Sequence, residues 1–194
     1  MSTNLVFLDT ETTGLQPDRH SVWEIAWRTA IHDVARGLLL LQRSDSRFLT
    51  FTDQMTRNAD PEALKIGRFE ERYSITSAIP ESAAVGLLTA DIARLVGDGK
   101  PPHLVGAVPS FDHNMLCMGY VGWPGFGEGL WHYHLLDVEV LAAGKLGVPP
   151  PYSSDQLTAR YNIKVDESAK HTALGDVDWC IMLYAAVYNL EVIW

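Results

Sequence analysis

The stretch Phe7-Leu8-Asp9-Thr10-Glu11-Thr12-Thr13-Gly14 constrains this chain more than any other. An apolar run delivers two carboxylates two residues apart and then enters a polar turn that ends in glycine. Alternate side chains of a strand project from one face, so Asp9 and Glu11 lie side by side and repel each other when both are ionised. No Lys or Arg occurs between Met1 and Asp18. The nearby sequence supplies no counter-charge, and the pattern calls for a hard, oxygen-seeking divalent cation such as Mg²⁺ or Mn²⁺.

The rest of the chain alternates strand and helix signals around this stretch. Leu5 to Asp9 reads as a strand, and Ser21 to Ile31, alternating and rich in β-branched and aromatic residues, as a second. Leu38 to Leu41 pairs with the second strand across the turn Asp33 to Gly37, and Phe48 to Phe51 adds a short edge piece. Asp60, Pro61 and Glu62 open a helix over Glu62 to Tyr73. A second helix follows Pro80, with Val85, Leu88, Ile92, Leu95 and Val96 at helical spacing and Gly97 and Gly99 at its end. His103 to Val108 is a buried-type strand, and Ser110 beyond Pro109 caps a helix from Phe111 to about Tyr120. Gly122 to Gly129 is an apolar loop, Tyr133 to Leu136 a fifth strand, Val138 to Leu146 a helix and Pro149 to Pro151 a rigid break. Ser153 and Gln156 have capping-box spacing for a helix to about Tyr161, and the last helix runs from Ala173 to about Val187. The expected fold is a mixed α/β sheet of five strands, three antiparallel and then two parallel, flanked by helices with the first strand central.

Composition narrows the classes. The chain has 194 residues, 47% hydrophobic and 20% charged, which suits one globular domain spanning 1–194. A formal charge of −9 argues against coating long duplex nucleic acid, which relies on many Lys and Arg contacts to phosphate. An enzyme holding a few terminal nucleotides needs few such contacts. Cys117 and Cys180 sit in apolar helical contexts and read as reduced packing residues of a cytoplasmic protein. No apolar run approaches the roughly 20 residues of a membrane span, so no membrane partner is expected.

Two further features join Asp9 and Glu11: Asp112, in the first turn beyond a strand end, and the pair His171 and Asp176. Five residues of helix rotate by about 500°, so His171 and Asp176 cannot share a helical face. Asp176 is better placed on the helix and His171 on its mobile lead-in. Four carboxylates without sulfur or nitrogen ligands describe a site for two Mg²⁺ or Mn²⁺ ions, which stabilise the attacking and leaving oxygens of a displacement at phosphorus. An imidazole is the side chain suited to proton transfer at neutral pH, so His171 can take the proton of an attacking water. The reaction class is phosphodiester hydrolysis. Taken singly, each feature has a plainer reading: Asp112 as a charge on a helix N-terminus, Asp176 as a helix surface residue. Their conjunction carries the chemistry. His132 and His134 share a strand face but lack a third ligand and read as surface or packing histidines. Trp123 and Trp131 could stack on bases, although core or dimer packing is the simpler role. Glu24 reads equally as a partner of the site or as a solvent-facing residue.

These stretches carry a resemblance. Phe7 to Gly14, Ser110-Phe111-Asp112 and His171-Thr172-Ala173-Leu174-Gly175-Asp176-Val177 resemble the three exonuclease motifs of the DEDDh, or DnaQ-like, 3′–5′ exonucleases. Trp23-Glu24-Ile25-Ala26 resembles that family's second-strand signature. The resemblance runs from residue 5 to about residue 185. It implies a ribonuclease H-like fold, with Asp9, Glu11, Asp112 and Asp176 as metal ligands and His171 as general base. It implies release of nucleoside 5′-monophosphates from single-stranded DNA or RNA 3′ ends, the terminal nucleotide lying against Thr10, Thr12, Thr13, Gly14, Leu15 and Phe111. A DNA substrate of the proofreading or repair type is favoured over RNA of the oligoribonuclease or tRNA-trimming type. A homodimer and a polymerase or replication partner are further expectations. The family usually places Asn four residues before the second-motif Asp, often preceded by His, where this chain has Val108 and Ala107. Neither is a ligand, so the departure bears on substrate contacts. A non-catalytic binding module on the same fold is the alternative from another class, and the complete set of five site residues argues against it.

Overall fold

The computed structural model describes residues 2–97, 99–118 and 129–194. Strand β1 (Ser2–Thr12) pairs antiparallel with β2 (Val22–Asp33), which pairs antiparallel with β3 (Leu38–Phe48). Three helices follow, α1 (Asp53–Asn58), α2 (Pro61–Ile66) and α3 (Phe69–Arg72), and then the longer α4 (Glu81–Val96). Strand β4 (His103–Gly106) returns parallel to β1, and helix α5 (Pro109–Met118) leaves its end. Strand β5 (His132–Asp137), helices α6 (Val138–Leu146), α7 (Ser154–Arg160) and α8 (Ala173–Tyr188), and the short strand β6 (Glu191–Ile193) complete the described chain. The sheet order is β5-β4-β1-β2-β3-β6, with β1 in the interior as expected.

The alternation of β1 sorts the helices. Leu5 and Phe7 face one core with Val177, Cys180, Ile181 and Tyr184 of α8. Val6 and Leu8 face the other, with Leu88 and Ile92 of α4 and Met115 and Leu116 of α5. Each side chain fully buried this way contributes about 1.5–3 kcal/mol, and this double-sided burial holds β1 in register. Asp9 and Glu11 continue the Leu5–Phe7 face, and so must emerge on the α8 side of the sheet.

The sheet has six strands where five were expected. Glu191–Ile193 adds parallel to Leu38–Leu40 as an edge, three residues too short to show alternation in the sequence. Strand β3 runs on to Phe48 and absorbs part of the expected edge piece; its polar Gln42 to Ser44 are tolerated because they are exposed. Leu49 bridges to Ile79 instead. The helix expected over Glu62 to Tyr73 is two pieces, because Arg68 adopts a left-handed conformation (φ 53°) between α2 and α3. Helix α1 is polar and aperiodic, hence silent in the pattern. Helix α5 starts at Pro109, with Ser110 inside its first turn rather than at its cap. The expected extension to Tyr120, and almost all of the apolar loop with Trp123, lie outside the described residues. No helix among the described residues is long and apolar enough to cross a membrane.

Candidate active site

Asp9, Glu11 and Asp176 each place a carboxylate oxygen within 4.8 Å of the others. Strand alternation supplies the first two and the first turn of α8 the third. Thr172 caps that helix, its Oγ1 accepting from the Gly175 N–H at 3.0 Å, so the helix begins at Ala173 and His171 stands on the lead-in, as expected. The pairing of β1 with β2 shifts register between Glu11 and Thr12. Such irregularities re-aim side chains at the end of a strand.

Asp112 arrives from the opposite face. Parallel pairing sets Phe7 beside Val105, so α5 starts next to the end of β1 and buries Asp112 to 2% exposure. Its Oδ1 accepts from the Thr10 N–H at 3.0 Å and the Thr10 hydroxyl at 2.7 Å. Thr10, expected against the nucleotide, therefore orients Asp112.

The electrostatics are those of crowded carboxylates. Burial first, and then the charges of Asp112, Asp176, Glu11 and Glu24, raise the Asp9 carboxyl well above its usual range. Burial and the Asp176 charge push Glu11 up to about 8. Burial raises Asp112 to about 7 against the two Thr10 hydrogen bonds. Asp176 is raised by burial, offset by the His171 charge and by the His171 N–H donated to it. These groups need positive charge to ionise together, and acidic oxygen donors at such spacing fit a hard divalent cation.

Glu24 settles its ambiguity. It lies directly across the ladder from Glu11, and its buried carboxylate pairs with Arg72 of α3 and accepts from the Ala173 N–H at 3.4 Å. Arg72 is thus a cation near the site that no reading of the first eighteen residues could find. Its Nη1 also donates to the carbonyls of Gly67, at 2.7 Å, and His171, at 3.0 Å.

The turn after Glu11 spends its side chains internally. The Thr12 hydroxyl donates to the Gly14 carbonyl at 2.9 Å, and Thr13 Oγ1 accepts from the Ser21 N–H at 3.0 Å. Leu15 is 76% exposed and free to meet a ligand, while Phe111 packs half-buried against the α4–α5 core. A cleft of about 690 Å³ reaches Asp9, His171 and Asp176 from between α7 and α8, where Lys164, Lys170 and Trp179 line it. Trp131 is buried and donates to His113 at 3.2 Å, which is the packing role. His103 joins His132 and His134 at the sheet edge, with His132 ring centroids 4.5 and 4.9 Å from the other two. The parallel pairing of His103 with His132 brings in this third histidine, which sequence distance hid.

Comparison with known proteins bears on the family and on the fold. An oligoribonuclease of Sodalis glossinidius is 32% identical over 144 residues, covering 71% of this chain and 72% of that protein. An oligoribonuclease of Bordetella pertussis is 28% identical over 177 residues, covering 89% of this chain and 87% of that one. Among solved structures, an exonuclease I superposes with a TM-score of 0.69 at 15% identity over 97% of this chain. E. coli exonuclease I in complex with a dT13 oligonucleotide superposes with a TM-score of 0.65 at 15% identity. The chain spans 41% of the length of each of these two structures. No family model matches the chain.

Proposed function

The chain belongs to the DEDDh, or DnaQ-like, family of 3′–5′ exonucleases within the ribonuclease H-like superfamily, and from that premise we infer that Asp9, Glu11, Asp112, Asp176 and His171 form its hydrolytic site for the 3′ ends of short single-stranded RNA. The observation that carries this reading is the convergence of Asp9, Glu11 and Asp176 within 4.8 Å, with Asp112 buried beside them.

The family works with divalent metal ions. Asp9, Glu11, Asp176 and Asp112 are the residues that would hold them here, and Mg²⁺ or Mn²⁺ fits an all-oxygen donor set. When bound there, such ions would stabilise the charge that builds on the attacking and leaving oxygens at phosphorus. The protein's own groups do the rest. Thr10 fixes one oxygen of Asp112, and the capped start of α8 fixes Asp176. His171, exposed on its lead-in, takes the proton of the attacking water, and its backbone N–H donates to the Asp176 carboxylate. Leu15 presents an apolar surface to the terminal base, and the backbone of Thr12 to Gly14 lies beside the 3′-hydroxyl. The product is a nucleoside 5′-monophosphate.

Short RNA is preferred because the curated relatives that align over most of the chain are oligoribonucleases. Single-stranded DNA is the second reading, favoured by exonuclease I neighbours that hold dT13 and dA16 on the same fold. Parallel digestion of matched RNA and DNA oligonucleotides of graded length separates them. Faster turnover of the shortest RNAs is expected, and faster turnover of long DNA would reverse the order. A homodimer and a polymerase or replication partner, the resemblance's further expectations, are tested by sedimentation and by co-purification.

A further inference from the structure

We propose that Arg68 and Arg72 form a clamp that positions His171 and couples its segment to the carboxylate site, an inference that rests on reading His171 as the general base. His171 adopts a left-handed backbone conformation (φ 57°). That conformation costs an ordinary residue about 1–2 kcal/mol and persists only where its surroundings hold it. Here the surroundings are two guanidinium groups. Arg72 Nη1 donates to the His171 carbonyl at 3.0 Å, and Arg68 Nη2 donates to the carbonyls of Ser168, at 2.9 Å, and Lys170, at 3.4 Å. Three of the four carbonyls from residue 168 to 171 therefore take a donor from one short turn about a hundred residues earlier.

That turn is fixed to the site on its other side. Arg72 pairs through Nη2 with Glu24, their side chains 14% and 5% exposed. Its guanidinium carbon lies 5.3 Å from the centroid of the buried Trp23 ring. Glu24 faces Glu11 across the ladder and also meets the first N–H of α8. One planar fork thus bonds at once to the site's carboxylate frame, to the turn carbonyl of Gly67 and to the residue proposed as base. Lysine, with a single compact ammonium, cannot reach acceptors set so far apart. Gly67 makes the approach possible, because a Cβ there would lie 2.9 Å from Glu11 Oε2 and 2.8 Å from the Trp23 ring. The segment crosses α8 equally closely at Gly175, where a Cβ would lie 2.1 Å from the Ala169 carbonyl. The backbone of residues 168 to 171 is thereby set from above by the clamp and from below by α8.

The test is a double-mutant cycle with kcat, KM, Mn²⁺ affinity and melting temperature read for every variant. Arg72→Lys retains the charge beside Glu24 and removes the fork. A misplaced catalytic group costs up to about 10²-fold, so kcat is expected to fall roughly 10- to 100-fold with KM and Mn²⁺ affinity changed by less than about threefold. His171→Ala is expected to lose about 10²- to 10⁴-fold in kcat. Arg72→Lys added to His171→Ala is expected to cost no more than about twofold, because residues acting through one another are not additive. Arg68→Gln, which leaves the Arg72–Glu24 pair in place, carries the same cycle if Arg72→Lys fails to fold. A slow His171→Ala combined with a fully additive clamp substitution, or a loss confined to KM, overturns the clamp alone. A His171→Ala enzyme at the wild-type rate overturns the base assignment itself and the clamp's purpose with it.

Discussion

The crowded carboxylates make the stability of the metal-free protein fall as pH rises, and Glu11 shows how far. Its folded-state carboxyl titrates near 8, against an ordinary value of 4.5, mainly through burial and the Asp176 charge. Between those values the folded chain binds a proton that the unfolded chain has released. Stability from this group is therefore complete below about pH 4.5 and is lost progressively as pH rises through about 8. At about 1.4 kcal/mol per unit, and discounting for the side of Glu11 open to solvent, the loss is on the order of 2–4 kcal/mol. Asp112, raised to about 7, adds in the same direction. For a chain of this size that corresponds to a melting temperature roughly 5–15 °C lower at pH 8.5 than at pH 5. A divalent cation holds the ionised forms, so its stabilisation should be largest at high pH, about 2.7 kcal/mol at a hundred times its dissociation constant. The assay is thermal unfolding across pH 5 to 8.5 with chelator or with Mn²⁺, on the wild type and Glu11→Gln. The substitution removes one titrating group, so the chelated slope should flatten and the Mn²⁺ gain should shrink. A chelated melting temperature that is flat or rises with pH, or a Mn²⁺ gain that Glu11→Gln leaves intact, would refute the reasoning.

Two further substitutions probe the backbone around the site. Gly67→Ala places a methyl against Glu11 and the immovable Trp23 ring, so the Glu11 carboxylate must yield; Mn²⁺ affinity by calorimetry should drop several-fold with about 1–3 kcal/mol of overpacking, and an unchanged affinity contradicts the close approach. Val108 is a β-branched residue held at φ 53° and 49% exposed, a conformation asparagine tolerates far better. Val108→Asn should therefore raise the melting temperature by about 2–4 °C for a gain near 1 kcal/mol, and a lower melting temperature would show that the valine packs against something it needs.

Legibility in the sequence followed the physical range of each signal. The alternation of β1 and the spacing of His171 to Asp176 are local, and they placed both carboxylates and the helix start correctly. The Ser153–Gln156 capping box was equally local and is present in the structure. Glu24 stayed ambiguous because strand alternation gives a face but not what covers it; only α3, folded back over that face, decides between a partner and water. Arg68 and Arg72 were invisible because their acceptors are backbone carbonyls, which every residue type presents alike. The bond from Thr10 to Asp112 is not legible either, because the resemblance fixes the position of Thr10 and not the partner its hydroxyl meets. Thr10 lies on the even-numbered side of β1, where Asp112 waits. Strand β6 fell below the length at which alternation can be seen. Val108 showed as a departure from the family pattern, but the reason asparagine suits that position appears only in the backbone angle.

The central claim is that Asp9 and its neighbouring carboxylates hydrolyse phosphodiester bonds from a free 3′ end. The direct measurement follows a single-stranded oligonucleotide labelled on its 3′-terminal nucleotide, incubated with the wild type or Asp9→Ala in Mg²⁺, in Mn²⁺ or in chelator. The account predicts that the label appears as nucleoside 5′-monophosphate before any internal fragment, only with added metal, and at least about 10²-fold more slowly with Asp9→Ala. Release that Asp9→Ala matches, or no release by the wild type under either metal, would contradict it.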